Sequence, residues 1–374
     1  MNTLSYADFS GKIHSNTSRR RIPLDAGIDI TYRCNNKCVH CYCNLPENDA
    51  VAKKKELTTE EIKKLLDGLA SLGTLWLLIS GGEPFLREDF QEIYLYAKKK
   101  GFLITLFTNG TLVDEKTVEL LSKYPPFTVE ISLYGATEET YEKVTSVKGS
   151  YERCMRGIKK IVDAGIKLKL KSMALTVNQH EVEVMDRMAR ELGCEFRFDP
   201  MLNKRIDGNT FSNPVKYRIS PEDVVRLDKA FPKRMEEWRQ FCDKFVGETI
   251  KDDRLFKCGA GLGMIHSDPY GIVKGCMMMA KDGFPIKEHD LKWIWDEGIL
   301  SVITRKKDFS LPCDDCHFVN LCCQCAAWSV LESGDIKKEV EYLCKTAKIR
   351  SRDFEFIANS LEGGAHGKEE MVEA

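Results

Sequence analysis

The sequence has no run of 18 apolar residues, so it offers no candidate membrane-spanning helix. It has almost no excess of either charge: 56 Lys and Arg stand against 57 Asp and Glu, a formal net charge of −1. That balance excludes the broad basic face of a nucleic-acid binder. The first residues, MNTLSYADFSGKIHSNTSRRR, lack the apolar core of a secretory signal. There is no internal repeat. These absences predict a soluble, cytoplasmic protein with neither a membrane nor a nucleic-acid partner. What the chain does have is 43% hydrophobic content over 374 residues, enough for one large domain and a smaller one, and 15 cysteines.

In a reducing compartment, clustered cysteines point to metal sites rather than disulfides. Four cysteines lie within 34–43 and five within 313–325, with Cys258, Cys276 and Cys344 flanking the second group. Cys154, Cys194 and Cys242 stand alone and read as ordinary thiols.

Between these groups, apolar runs alternate with helical periodicity. Strands are expected at 26–32, 74–80, 102–108, 127–133, 167–175 and 195–200, with helices near 59–71, 88–100, 114–123, 151–164 and 180–192. Thr58 or Thr59 and Asp114 stand where helix N-caps are needed, and Gly73, Gly101, Gly165 and Gly193 where helices should stop. Six strand–helix units imply an α/β fold with a parallel sheet, a partial (β/α)6 TIM-like barrel, two units short of closure. Chemistry in such folds gathers at the C-terminal strand ends. The expected divisions are an N-terminal extension (1–24), the barrel (25–200), a connecting helical segment (201–254) containing a capped helix at 220–231, a cysteine-held region (255–346), and a C-terminal helix with a polar, disordered tail (347–374). The charge runs 19–21 and 53–55 read as solvated linkers, or else as docking points for an acidic peptide segment.

Cys34, Cys38 and Cys41 follow the first strand with the spacing C-x3-C-x2-C. A disulfide would leave one thiol over. Structural zinc needs a closed fourth ligand, which His40, between Cys38 and Cys41, supplies only by folding back on its neighbours. An iron–sulfur cluster with three thiolates and one open iron fits best. Cys43, two residues on, is a structural thiol or a neighbour of the cluster.

The triad resembles the signature of the radical S-adenosylmethionine (SAM) enzymes, C-x3-C-x-aromatic-C, with His40 in the aromatic place. Three further motifs share the resemblance: SGGEP at 80–84, TNG at 108–110 and ISLYG at 131–135, each at a strand end. The resemblance covers about residues 25–200. It implies a cluster on Cys34, Cys38 and Cys41 whose open iron binds SAM. It places His40 against the adenine, makes Gly81 and Gly82 a close-approach turn, and sets Glu83 against the SAM ammonium. Thr108, Asn109 and Ser132 become further SAM contacts. Lys171 on the fifth strand is a candidate contact, a solvated lysine being the alternative.

The later cysteines, read alone, leave a zinc ribbon open for 313–325. Their order resembles the SPASM extension, a C-terminal domain that holds auxiliary clusters. Carried over, Cys313, Cys316, Cys322 and Cys344 close one cluster, and Cys258, Cys276 and Cys325 hold another. The fourth ligand of the latter stays open between a substrate thiolate, Cys323 and another group. In all, the resemblance implies three [4Fe-4S] clusters and SAM. It points to a maturase that abstracts hydrogen from a ribosomally made precursor peptide and forms a cross-link. A thioether is favoured, then a carbon–carbon bond or residue oxidation. An electron donor such as flavodoxin or ferredoxin is implied. With only 25 residues before the first strand, leader binding is expected from a separate peptide-recognition protein or from the barrel mouth. The alternatives are oxidation of a small-molecule cofactor precursor, such as a tetrapyrrole, or of a protein target such as a sulfatase. Met277 after Cys276 lowers the sulfatase option, since an acid is typical there. The remote alternative is a non-catalytic electron carrier. No general base is legible: Asp199, Asp268 and Tyr270 read as turn or capping groups.

Overall fold

The computed structural model describes residues 6–18, 20–208, 212–245, 253–311 and 313–354. The expected tail at 362–374 lies outside the described residues. Two compact units result: Met1–Tyr217 with Cys258–Thr304, and Arg218–Lys257 with Arg305–Ala374. The expected 255–346 segment is therefore divided between them.

In the first unit, helix α1 (Tyr6–Ser18) precedes β1 (Asp25–Asp29). Two short segments, β2 (Arg33–Cys34) and β3 (Leu45–Pro46), pair with one another in parallel. Helices α2 (Ala50–Lys55) and α3 (Thr59–Ser71) follow. Then come β4 (Trp76–Ser80), α4 (Phe90–Lys99), β5 (Leu103–Thr108), α5 (Glu115–Lys123) and β6 (Thr128–Ser132). The series ends with α6 (Glu138–Thr145), α7 (Ser150–Asp163), β7 (Leu168–Met173), α8 (Val182–Glu191) and β8 (Glu195–Asp199). Strands β1 and β4 to β8 lie side by side in chain order, each parallel to the last. This is the six-unit open barrel that the periodicity predicts.

Local chemistry sets these elements. Thr58 and Glu61 form a reciprocal capping box on α3, worth about 0.5–2 kcal/mol. Asp114 caps α5 through Thr117 N at 2.8 Å. Helix α3 buries Ile62, Leu65, Leu66 and Leu69, each contributing about 1.5–3 kcal/mol on removal from water. The run 53–55 is the last turn of α2 rather than a linker: its lysines sit at the negative end of the helix dipole, and Lys53 pairs with Glu88 at 2.9 Å.

Side chains alternate across the sheet. Ile28, Ile79, Leu106 and Val129 share one fully apolar, buried row. The opposite face, the barrel lumen, carries Asp29, Ser80, Phe107, Glu130, Lys171 and Arg197. A polar interior is not needed for packing; it marks the lumen as a place for a polar ligand.

On the other side of β1 the sheet continues. β9 (Met264–Ser267) adds in parallel, and β10 (Ile272–Lys274) and β11 (Phe284–Pro285) follow antiparallel. Asp268 turns the β9–β10 hairpin, accepting from Tyr270 N at 3.0 Å and Ile272 N at 2.9 Å. Asp199 likewise accepts from Met201 N at 2.8 Å. Both are turn groups, as read. A helical stretch comprising α11 (Leu291–Trp293), a π-type turn (Ile294–Ile299) and α12 (Leu300–Ile303) completes the unit. No described helix is long and apolar enough to cross a membrane.

The second unit contains α9 (Pro221–Ala230), α10 (Pro232–Phe245), α13 (Val319–Cys322), α14 (Ala326–Ser333) and α15 (Glu341–Asp353). It is pinned by a buried ion pair. Arg350 donates through Nε to Asp228 at 2.8 Å, and its guanidinium lies 3.9 Å from the centre of the Trp238 ring.

Candidate active site

The cluster loop begins where β2 ends, at Cys34, and is held by neighbours from every adjoining strand end. Gly82 N donates to Thr31 O at 2.7 Å and Glu83 N to Arg33 O at 2.9 Å. This close approach explains both glycines. A Cβ at Gly82 would stand 2.2 Å from Arg33 O. One at Gly81 would stand 2.1 Å from Thr31 O, and Gly81 has a φ of 138°.

Cys34 and Cys38 are buried and Cys41 half-buried. Asn36 N and Asn109 Nδ2 approach Cys34 Sγ at 3.4 and 3.7 Å. Such donors suit a thiolate. Burial pushes the Cys34 and Cys38 thiols up, reinforced at Cys34 by Glu83 and Cys41 and at Cys38 by Cys34 and Cys41. Cys41 is lowered to about 7, chiefly by a hydrogen bond with Cys43 and also by Arg205. Cys43 is wholly buried and moves well up through the same bond. The two thiols share one hydrogen bond and titrate as a pair. Arg205 further secures the segment, donating to Cys41 O at 3.2 Å and Asn44 Oδ1 at 2.9 Å.

Glu83 is fully buried at the end of β4. Thr108 Oγ1 at 2.8 Å, Asn109 N at 2.7 Å and Phe85 N at 3.2 Å all donate to it. Burial wins over these donors and pushes its carboxyl up to about 7. Asn109 also bonds Asn35 at 2.8 Å and accepts from Thr111. His40 is buried, meets Tyr134 edge-on at 4.6 Å between ring centres, and leaves its Nδ1 without a partner. Burial lowers its pKa to about 4, so the ring is neutral. Ser132 is buried at the end of β6. Lys171 is not a solvated side chain: its ammonium lies over the Phe107 ring, and burial pushes its pKa well down.

The residues expected around one cofactor site are therefore brought together at adjoining strand ends. Two more belong here that the spacing did not single out. Asn36 is 1% exposed with both amide atoms unpartnered. Tyr134, inside the ISLYG motif, packs on His40. Among the described residues no three His, Cys, Asp or Glu side chains converge tightly enough for a single metal ion. Three thiols with nearby N–H donors, an unpartnered imidazole nitrogen and a buried carboxyl fit an iron–sulfur cluster and a cationic ligand.

Residues 28–189 match the radical SAM superfamily. The chain carries a radical SAM domain. It is 39% identical over 223 residues to the Fe-coproporphyrin III synthase of Methanosarcina barkeri, covering 60% of this chain and 51% of that protein. It is 29% identical over 262 residues to the antilisterial bacteriocin subtilosin biosynthesis protein AlbA of Bacillus subtilis, covering 70% of this chain and 56% of AlbA. The chain thus spans about half the length of these relatives. Its fold is similar to that of Streptococcus suis SuiB bound to the precursor peptide SuiA, with a TM-score of 0.68 and 17% identity over 92% of this chain and 82% of SuiB.

The remaining cysteines fall into both units. Cys258 is exposed, and Cys276 lies near enough to feel its charge. In the second unit Cys313, Cys316, Cys322 and Cys344 gather. Cys322 and Cys344 share a hydrogen bond, and Cys313, pushed up to about 11 by burial, senses Cys344 and Cys316. Cys325 caps α14, accepting from Trp328 N at 3.4 Å. Cys323 adopts a left-handed φ of 57°, the conformation glycine favours, at an exposed position.

Proposed function

We propose that the protein is a radical SAM maturase that removes hydrogen from a ribosomally made peptide and closes a cross-link on it, with a thioether as the leading product. The observation that carries the reading is the second cysteine group. SAM cleavage alone has no use for Cys313, Cys316, Cys322 and Cys344 gathered in the second unit, whereas SPASM-type auxiliary clusters do. The likeness to a bacteriocin biosynthesis protein supports the peptide class.

When bound, the cluster supplies the electron that cleaves SAM to a 5′-deoxyadenosyl radical. The chain's own part is to hold and orient. Cys34, Cys38 and Cys41 provide the thiolates, and Asn36 and Asn109 aim N–H groups at Cys34. Glu83, its carboxylate fixed by Thr108 and Asn109, accepts the SAM ammonium. Neutral His40, backed by Tyr134, lies against the adenine, while Ser132 and Lys171 face the ribose side. Cys313, Cys316, Cys322 and Cys344 hold one auxiliary cluster. Cys258 and Cys276 of the first unit are the ligands of a second auxiliary cluster, with a substrate thiolate among its completing groups. A flavodoxin or ferredoxin is the electron donor, and a separate protein presents the peptide.

A second reading, modification of a tetrapyrrole, is favoured by the 39% identity to Fe-coproporphyrin III synthase. One experiment separates the two. The anaerobically reconstituted enzyme is given SAM and dithionite with either a cysteine-containing precursor peptide or an iron coproporphyrin. Mass spectrometry should show a peptide that has lost two hydrogens alongside 5′-deoxyadenosine. An unchanged peptide beside an altered porphyrin would reverse the order of the readings.

A further inference from the structure

We propose that Asp29 and His266 are the proton-accepting pair of the barrel lumen, taking the proton that the substrate loses as its oxidised product forms. This rests on the reading above, in which any cross-link or oxidation releases a proton.

Asp29 is the last residue of β1, only 4% exposed, and its Oδ2 has no hydrogen-bond partner. The nitrogen it faces is His266 Nε2 on β9, 3.3 Å away, which also makes no hydrogen bond. Two buried polar groups left facing one another are costly unless they serve a ligand. The fold makes room for them. Gly27 stands in register with His266, and a Cβ at Gly27 would lie 3.0 Å from His266 Nδ1. A glycine in mid-strand, otherwise a weakening choice, admits the imidazole to the lumen.

The other carboxylates near the lumen are committed. Glu130 accepts from Arg197 at 2.8 and 3.2 Å. Glu83 takes Thr108 and Asn109. Asp268 turns the hairpin. The groups facing Asp29 are His266, Lys171 on β7, Tyr32, Tyr42 and Cys43. Those facing His266 are Asp29, Asp268 and Lys274. Tyr32 and Tyr42 are held protonated by burial and by the surrounding acids, and Cys43 shares a hydrogen bond with Cys41. Among the described residues, Asp29 therefore offers the lumen its uncommitted carboxylate oxygen.

The step balances without a redox partner. A substrate X–H bond, S–H in the thioether case, breaks heterolytically. The electron pair stays on X, and the proton goes to Asp29 Oδ2. It passes to His266 Nε2, and an imidazolium–carboxylate pair results. Any electron transfer belongs to a separate step.

The test uses the full chain with reconstituted clusters, SAM, dithionite and the precursor peptide. It compares the wild type with Asp29→Asn, His266→Gln and Asp29→Glu across pH. For Asp29→Asn, 5′-deoxyadenosine formation should persist while cross-linked peptide falls by roughly 10²-fold, and the acid limb of its pH profile should disappear. His266→Gln should shift that limb, and Asp29→Glu should recover part of the yield. Equal loss of 5′-deoxyadenosine and product, or full activity in Asp29→Asn, overturns the proposal. A second arm needs no substrate: nitrogen-15 NMR of the His266 ring at fixed pH. Its Nε2 resonance should move when Asp29 becomes Asn. An unmoved resonance overturns the pairing even where the wild type oxidises no peptide, so failure of the proposal and failure of the peptide reading remain distinguishable.

Discussion

Replacing Glu56 by Gln tests what holds the cluster loop in place. Glu56 is 9% exposed. Its carboxylate accepts from Arg33 Nε at 2.9 Å, Arg33 Nη2 at 3.1 Å and Thr31 Oγ1 at 2.5 Å, with Arg87 Nη1 3.7 Å away. Arg33 directly precedes Cys34, and its carbonyl receives Glu83 N, so one carboxylate fixes both the loop of the cysteine triad and the loop carrying Glu83. Glutamine keeps the volume but leaves the Arg33 guanidinium, only 7% exposed, without its carboxylate, while Arg87 keeps Asp89 at 2.7 and 2.8 Å. Breaking a buried pair costs about 3–5 kcal/mol. The amide oxygen keeps one hydrogen bond, worth about 1 kcal/mol, which leaves a net loss of about 2–4 kcal/mol. At about 2–4 °C per kcal/mol the melting midpoint should drop by roughly 5–15 °C. The control is Lys53→Ala, which breaks an exposed pair with Glu88 and should cost at most about 1 kcal/mol. Thermal melts by circular dichroism, paired with iron content after reconstitution, read both effects. If Glu56→Gln melts with the Lys53→Ala control and loads iron normally, the buried network does not fix the loop and the reasoning fails.

Other outcomes follow from the site. The folded-state pKa of Glu83, about 7, is above that of an unfolded carboxylate. Between those values the folded chain holds the proton, so stability without SAM should fall as pH rises through this window and level off above about 7. With the SAM ammonium held by the Glu83 carboxylate as proposed, calorimetry should show tighter binding at the alkaline side of that value, with proton release, and Glu83→Gln should abolish the pH dependence. Gly82→Ala should lose cluster loading, because its Cβ would meet Arg33 O at 2.2 Å; normal iron and SAM binding in that variant would show the turn can shift. If three clusters are present, iron analysis should give about 12 irons per chain. Cys316→Ser should lower that by about four while leaving SAM binding intact, and a loss of SAM binding would tie Cys316 to the first site. Asp228→Ala should destabilise the second unit by about 3–5 kcal/mol, since Arg350 is left buried without its carboxylate; a denaturation midpoint equal to wild type would refute that.

Much of this was legible before any coordinates. The period-two and 3.6-residue patterns located all six barrel strands and their five covering helices, because each must present an apolar face to its neighbours. The strand-end motifs located Glu83, Asn109 and Ser132, because backbone direction puts loop residues at one end of a parallel sheet. Short elements were not legible. Helices α2 and α6 span 6 and 8 residues, too few for a period to stand out. Asn36 and Tyr134 were missed because nothing in spacing tells a buried polar side chain from an exposed one.

The sequence by itself determined the α/β architecture and the composition of the first site: three thiols closely spaced next to a strand end. Those are local properties, written in neighbours along the chain. Only the tertiary structure decided which groups are uncommitted. Asp29 and His266 lie 237 positions apart and meet because β9 joins β1 in register beside a glycine. Glu56 becomes the anchor of the cluster loop only when burial removes the water that would otherwise screen Arg33 and Arg87. Burial and pairing across strands depend on the whole fold, and no single segment carries them.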